Sequence, residues 1–345
     1  VIHLRICEVS NLTSMESYMD NIDYARTTLL ARVASLYYDH GKTQQEIAGE
    51  IGITRSAVSR LLSEAREKGI VEIIVHYPWK TSPELEEALL KTFGLKAVRV
   101  LIRENKSYEE MLQGLGVLAA EYFNGILQDG MVIGISWGTA LYQMIRAFRP
   151  RNLGQAEVVQ LIGATGAENV PTNGPILAQL LCRRLGCKCW NLHAPLIVDS
   201  RAGREALLQE RSIRETLERA KYADVALVGI GSTQPDLYSL LRAGYVTEEE
   251  AQRIRESGAV GDVCAQHYSV TGEWLDIDIN HRVVGVDVDT LKRIHTIIGV
   301  AGSSRKGQAI LGALLGKYVN VLITDDQAAQ KVLAIYEAMK EVRPF

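Results

Sequence analysis

The sequence predicts an α/β protein of two domains: a small N-terminal helix-turn-helix (winged-helix-like) domain and a larger α/β domain built on a mainly parallel sheet. Three observations lead there. Beyond residue 97, apolar runs of strand length alternate with amphipathic helical stretches. Residues 42–62 carry two short helical patterns separated by a glycine. Between these regions, Pro78 and Pro83 break every periodic pattern. The length of 345 residues is about twice an ordinary ~150-residue domain, in keeping with two.

Residues 1–14 show no clean period and precede Met15, so 1–22 are expected to be disordered or a start-site extension. From Tyr24 a helix begins: Leu29, Leu30, Val33, Ala34 and Tyr37 fall at helical spacing, and Gly41 stops it. The helix-turn-helix domain is expected over 23–77, a linker over 78–84 and the larger domain over 85–345. Ile70–Val75 reads as a strand, either a wing or a return into the small domain's core. After the prolines, Ser82 caps a helix that starts at Pro83 and carries Leu85, Leu89, Leu90 and Phe93 on one face. Strand-length runs follow at Ala97–Ile102, Met131–Ile135, Val158–Ile162, Val225–Val228, Val283–Val286, Thr296–Val300 and Val319–Ile323. Helical stretches are expected at Tyr108–Leu127, Pro175–Leu185, Ser212–Tyr222, Ser304–Leu315 and Asp326–Val342. Strands apolar at every position are buried on both faces, which implies a parallel sheet covered by helices.

Composition narrows the function. Hydrophobic residues are 47% and charged residues 23%, an ordinary globular balance. With 38 Lys+Arg against 41 Asp+Glu, the net charge is −3, so any contact with nucleic acid must come from a local patch. Five cysteines without repeated spacing do not describe a disulfide framework. No run approaches the roughly 18 apolar residues of a membrane span, and the first residues lack a signal-peptide core. A cytoplasmic protein with no membrane partner is expected.

Within 42–62, Thr43 and Glu46 form a capping box that opens the first helix. Gly52 permits the positive φ of a sharp turn, Ile53 plugs it, and Thr54 caps the second helix. Val58, Leu61 and Leu62 face inward, which turns Arg55, Ser56, Ser59 and Arg60 away from the core. With Thr43, Gln44 and Thr54 they form the candidate DNA-binding set. Short hydroxyls allow close approach, and arginines reach guanine edges or phosphates. Over 54–68, Arg55, Arg60, Arg66 and Lys68 outnumber Glu64 and Glu67. A hairpin with a merely solvated charged face is the bland reading. A protein-binding module is another, but it would expose apolar anchors rather than Arg and Ser.

The larger domain offers strand-to-helix junctions. In Gly134-Ile135-Ser136-Trp137-Gly138-Thr139, helix N–H groups together with Ser136, Gly138 and Thr139 can hold an anion. Neither Gly-x-Gly-x-x-Gly nor a Walker-type Gly-Lys-Ser is present, so no cofactor is expected. Val228-Gly229-Ile230-Gly231 is a second junction. In Gly258-Ala259-Val260-Gly261-Asp262, the Asp262 carboxylate either accepts from carbohydrate hydroxyls or makes an Asx-type turn. Val300-Ala301-Gly302-Ser303-Ser304-Arg305-Lys306 places cations in a first helical turn, where they oppose the dipole and suit a bound anion. Such junctions at one carboxyl edge converge on a single crevice. Cys182, Cys187, Cys189 and His193 lack the usual metal-ligand spacing and read as buried free thiols with no metal. Asp276-Ile277-Asp278 with His281 suggests acid/base chemistry, but a turn excursion explains it as well, and no Ser or Cys nucleophile has an evident partner.

In this order, these segments together with Leu322-Ile323-Thr324-Asp325-Asp326 resemble the SorC-type (DeoR-like) bacterial transcriptional regulators, a sugar-responsive family. The resemblance covers residues from about 25 to 340. It implies a large domain related to sugar-phosphate isomerases and glucosamine-phosphate deaminases, used as a sensor. It also implies a homo-oligomer, a tetramer, on two-fold symmetric operator DNA, and a carbohydrate or sugar-phosphate effector. By position, Ser136, Gly138 and Thr139 would form the phosphate loop, with Asp262 on the sugar. Gly302, Ser303, Ser304 and Lys306 would form a second phosphate-side loop, and Gly231 and Arg242 would complete the pocket. Ala140 stands where some members have a second Thr, and Ser303 where a second glycine is common. The implied function is a DNA-binding transcriptional regulator controlled by its carbohydrate ligand. The alternative is an isomerase- or deaminase-like enzyme fused to a helix-turn-helix domain, with Asp262 as base. No acid and positioned His can be assembled from the junctions to support it.

Overall fold

A computed structural model describes residues 25–71, 79–165 and 172–342. The expectations for 1–22, and for the strand at 70–75 beyond residue 71, lie outside these residues. The chain divides into two compact units, one ending at His76 and one beginning at Tyr77. Among the described residues, no helix is long and apolar enough to cross a membrane.

Among its described residues the first unit has three helices. Helix α1 spans 25–38, α2 is Gln44–Ile51 and α3 is Arg55–Glu67. The Thr43–Glu46 capping box forms in both directions. Gly52 takes φ +76° and sends its N–H back to the Ala48 carbonyl, and Thr54 caps α3 by accepting from the Ala57 N–H. Leu30, Val33 and Ala34 pack with Ile47, Ala48, Val58, Leu61, Leu62 and Ala65 in one small core. An Ala at 48 lets two helix backbones approach, so the turn stays tight enough to fix their angle.

In the second unit, α4 (Pro83–Phe93), β1 (Ala97–Leu101), α5 (Tyr108–Ile126), β2 (Val132–Ile135), α6 (Thr139–Ala147), β3 (Glu157–Gln160), α7 (Gly174–Leu185) and β4 (Lys188–Trp190) come first. Then follow α8 (Arg201–Gln209), α9 (Arg211–Ala220), β5 (Val225–Gly229), β6 (Gly231–Ser232), α10 (Ser239–Arg242), α11 (Glu248–Glu256), β7 (Gly261–Val263) and β8 (Gln266–Tyr268). The last elements are α12 (Asp278–Arg282), α13 (Val288–Arg293), β9 (Thr296–Val300), a 3-10 turn (Ser304–Lys306), α14 (Gly307–Leu315), β10 (Val321–Asp325) and α15 (Asp326–Val342).

Seven strands form a fully parallel sheet in the order β1-β10-β9-β5-β2-β3-β4. Successive residues feed opposite faces. Along β5, Val225 and Leu227 join one core while Ala226 and Val228 join the other. This two-sided burial is why the strands read as unbroken apolar runs. From β2 the chain works outward to β3 and β4, then returns to β5 and works the other way to β9 and β10. The topological reversal therefore lies between β2 and β5, where parallel sheets open a crevice at their carboxyl ends. A second small antiparallel sheet, β6-β7-β8, stands beside it.

Three expectations need correction. Val283–Val286 is not a strand of the sheet: it makes isolated bridges from Val283 to Ile197 and from Gly285 to Ile162. Buried on all sides, the run shows the same apolar signature as a central strand. Asp276–His281 is not a turn alone, because Asp278 begins α12 and His281 Nε2 lies 2.5 Å from Asp276 Oδ1. Of the three clustered cysteines, only Cys182 is buried, whereas Cys187 and Cys189 are half-buried; all three are free thiols.

Candidate functional site

The pocket is assembled at the reversal of the parallel sheet. Ser136, directly after β2, is 1% exposed and bridges to β5: its N–H donates to Leu227 O at 3.0 Å, and its Oγ accepts from the Gly229 N–H at 3.4 Å. Gly138 then turns the chain into α6 with φ +127° and ψ 162°, and supplies no side-chain cap. Its own N–H donates to Thr172 O at 3.1 Å. The N–H groups of Thr139, Ala140 and Leu141 have no intrahelical acceptor and open on the pocket. With the helix dipole behind them, they form an anion-attracting terminus.

Opposite stands Lys306, in the 3-10 turn after β9. Its Nζ donates to Ile230 O at 2.7 Å. Burial pulls the ammonium down to about 8, with Asp262 opposing that shift. Arg242, at the end of α10, adds a second cation to the rim. Asp262, on β7, is 4% exposed, and its Oδ1 has no hydrogen-bond partner among the described residues. Burial pushes its carboxyl above the usual range, against the pull of His267, Lys306 and the Ala265 N–H. Gly231 is required directly across the strand pair, since a Cβ there would sit 2.0 Å from Asp262 Oδ1. The pocket has a volume of about 150 Å³.

Eight of the ten expected effector residues thus line one cavity: Ser136, Gly138, Thr139, Gly231, Arg242, Asp262, Gly302 and Lys306. Ser303 and Ser304 do not line it. Ser303 instead takes φ +88°, donates its N–H to Asp325 Oδ2, and accepts the Arg305 N–H on its hydroxyl. Asp325, at the end of β10, also accepts from the Ala328 N–H at 3.0 Å, so one buried carboxylate holds the loop and starts α15. Sequence reasoning assigned Asp325 no role. Its position at the carboxyl end of a central strand was the available signal.

Beneath the pocket lies a buried polar chain that sequence reasoning also missed. Asn280 donates to the carbonyls of His267 and Leu275, which fixes its amide orientation. Its Oδ1 accepts the His267 backbone N–H at 2.8 Å and faces Nδ1 at 2.9 Å. Nδ1 therefore carries the proton, and Nε2 accepts from Tyr238 Oη at 2.7 Å. Burial also pulls the imidazole pKa below its usual value. His267 pairs across the hairpin with Asp262. The hairpin turns at Cys264 and Ala265 with φ +53° and +60°, where Asn-Gly would be usual. Left-handed backbone at non-glycine residues costs about 1–2 kcal/mol each. The Ala265 N–H it delivers to the Asp262 carboxylate offsets part of that.

In the first unit, Arg55, Ser56, Ser59 and Arg60 are all exposed on α3, opposite the buried Val58, Leu61 and Leu62. Thr54 Oγ1 lies 3.0 Å from Ser56 Oγ. Among the described residues Arg55 and Arg60 enter no ion pair, whereas Arg26 and Lys68 are held by Glu64, and Lys42 by Glu50. Thr43, Gln44 and Arg55 line a shallow concavity with Lys42.

Residues 77–334 match the family described as "Putative sugar-binding domain", and residues 31–68 match sigma-70 region 4. The deoxyribonucleoside regulator of Bacillus subtilis is 34% identical over 312 residues, covering 90% of this chain and 99% of its own. The sorbitol operon regulator of Klebsiella pneumoniae is 31% identical over 317 residues, covering 91% of this chain and all of its own. The crystal structure of the full-length regulator SorC from the same organism matches 89% of this chain and 99% of its own with a TM-score of 0.68. Because the likeness runs through the helix-turn-helix and the pocket-bearing unit alike, the chain belongs to the SorC-type family of sugar-binding transcriptional regulators.

Proposed function

We propose that this regulator binds a phosphorylated monosaccharide in the crevice between β2 and β5, and that the ligand sets its affinity for operator DNA. The carrying observation is the pairing, across one small pocket, of a helix N-terminus and two cations with a buried carboxylate oxygen lacking a partner. The first-turn N–H groups of α6, Ser136, Thr139, Lys306 and Arg242 take the phosphate. Asp262 takes sugar hydroxyls, which donate to the unpartnered Oδ1.

The site binds and does not turn its ligand over. His267, which pairs with Asp262 across the hairpin, is 0% exposed and held at both nitrogens, so it cannot reach a substrate. On DNA, Arg55, Ser56, Ser59 and Arg60 read base edges, while Thr43, Gln44 and Thr54 contact the backbone. Paired heads of a homotetramer engage a two-fold symmetric site. A ligand that favours one sensor conformation shifts head spacing, and so affinity, without touching a base contact.

Thermal-shift screening with sugar phosphates and their neutral parents tests this. A ligand at 100 times its dissociation constant adds about 2.7 kcal/mol of stability. Calorimetry that finds neutral sugars binding as tightly as their phosphates would remove the phosphate cradle from the reading.

A further inference from the structure

Away from the pocket, three thiols meet where α7 ends against the edge strand β4. The helix stops at Gly186, with φ +63°, whose N–H returns to the Cys182 carbonyl. The Cys187 N–H returns to that same carbonyl at 3.2 Å. This helix stop places the residue after the glycine over the side chain one turn back, a contact usually made by two apolar residues. Here the two are cysteines. A backbone hydrogen bond between the residues themselves keeps the two close in space, as a disulfide requires. Cys187, just before β4, and Cys189, within it, both pack against the apolar layer to which Cys182 belongs. Cys182 is 7% exposed, whereas Cys187 and Cys189 are open to solvent on one side.

We propose that Cys187 and Cys182 form an oxidation site for peroxides, Cys187 as the attacking thiolate and Cys182 as the resolving thiol. The Cys182 thiol donates to Lys188 O at 3.6 Å, and hydrogen bonding among the three sulfurs holds Cys182 above its usual pKa and Cys187, like Cys189, below. The reactive form therefore develops on the accessible sulfurs and the proton stays on the buried one; of the two, Cys187 is the one that the backbone hydrogen bond ties to Cys182. The Cys187 thiolate attacks one peroxide oxygen and the O–O bond breaks. This gives Cys187 sulfenic acid and hydroxide from hydrogen peroxide, with sulfur oxidised and peroxide reduced. The Cys182 sulfur then attacks that sulfenic sulfur, the S–O bond breaks, and its proton leaves with the hydroxyl as water, closing the Cys182–Cys187 disulfide.

The test treats reduced full-length protein with a small excess of hydrogen peroxide, blocks remaining thiols with N-ethylmaleimide, and maps non-reduced peptides by mass spectrometry. The expected result is a Cys182–Cys187 cross-linked peptide, loss of two of the five alkylatable thiols, and recovery of both with dithiothreitol. In Cys182→Ser the reaction should stall, so dimedone labels Cys187; in Cys187→Ser both the label and the cross-link should vanish. The wild-type map decides even if Cys182→Ser fails to fold. A cross-link running to Cys189, Cys264 or Cys7, or five thiols that all survive peroxide, overturns the proposal.

Discussion

Gly138→Ala isolates the backbone conformation at the start of α6. At φ +127° and ψ 162° this residue occupies a region that is essentially open only to glycine. A Cβ there would meet nothing within 4 Å, so no steric clash contributes and the effect is conformational strain alone. That strain is about 1–3 kcal/mol. In the free protein the alanine relaxes the loop and turns the α6 N–H groups away from the pocket. Ligand binding must then restore the strained form, so the dissociation constant rises by about 5- to 150-fold at roughly 1.4 kcal/mol per decade. The assay is calorimetry with the sugar phosphate that best stabilises the wild type, with circular dichroism to verify the fold. DNA binding without effector should be unchanged, since Gly138 belongs to the second unit. An affinity within twofold of wild type would refute the reasoning, and a lowered melting temperature with that unchanged affinity would show the strained loop surviving in both states. Gly138→Val adds a branched side chain beside the same N–H groups and should abolish the response to ligand.

Further outcomes are expected. Arg55→Ala or Arg60→Ala should weaken operator binding by about 1–3 kcal/mol wherever the arginine pairs with a guanine, without altering circular dichroism; unaltered affinity in both variants would show that α3 is not the reader. Asp262→Asn should weaken effector binding by about 1–3 kcal/mol, measured by calorimetry. The same change should raise the melting temperature at neutral pH: a carboxyl raised by burial costs the folded state as pH climbs from the unfolded value, about 3.9, through the folded one, so the gain should disappear in acid. Affinity for a sugar phosphate should begin to fall as pH rises past about 8, where Lys306 loses its proton in the free protein, and Lys306→Met should lose that dependence. Light scattering should find a tetramer; a strict monomer both free and on DNA would contradict the paired-head arrangement.

What could be read in the sequence was whatever leaves a local signature. The Thr43–Glu46 box, the turn at Gly52 and the cap at Thr54 are made by neighbouring residues, so their chemistry is visible within a few positions. The same holds for Ser82 and Pro83 at the start of α4. Central strands were visible because both faces are buried. The misses have a common cause in contacts made from afar. Lys188–Trp190 is a three-residue strand defined only by pairing with β3. The β7–β8 hairpin turns on Cys264 and Ala265, neither a turn residue, so the Asp262–His267 pairing had no sequence marker. Ser303 was expected on the pocket from its position in the family resemblance, yet Asp325, distant in sequence, claims its N–H.

The pairing of β1 with β10 has a consequence for how the chain is made. These strands are more than two hundred residues apart, yet register from Ala97 with Val321 to Leu101 with Asp325. During synthesis the first unit, whose core comes from three consecutive helices, can fold as soon as it emerges. The large sheet cannot close then: β1 waits until Val321–Asp325 has been translated. Until β10 arrives, both β1 and β9 present bare apolar edges, the form of nascent chain most prone to aggregate. A ribosome stalled before residue 321 would therefore carry a finished reading head on an unfinished sensor, and such products should depend on chaperones far more than the full chain.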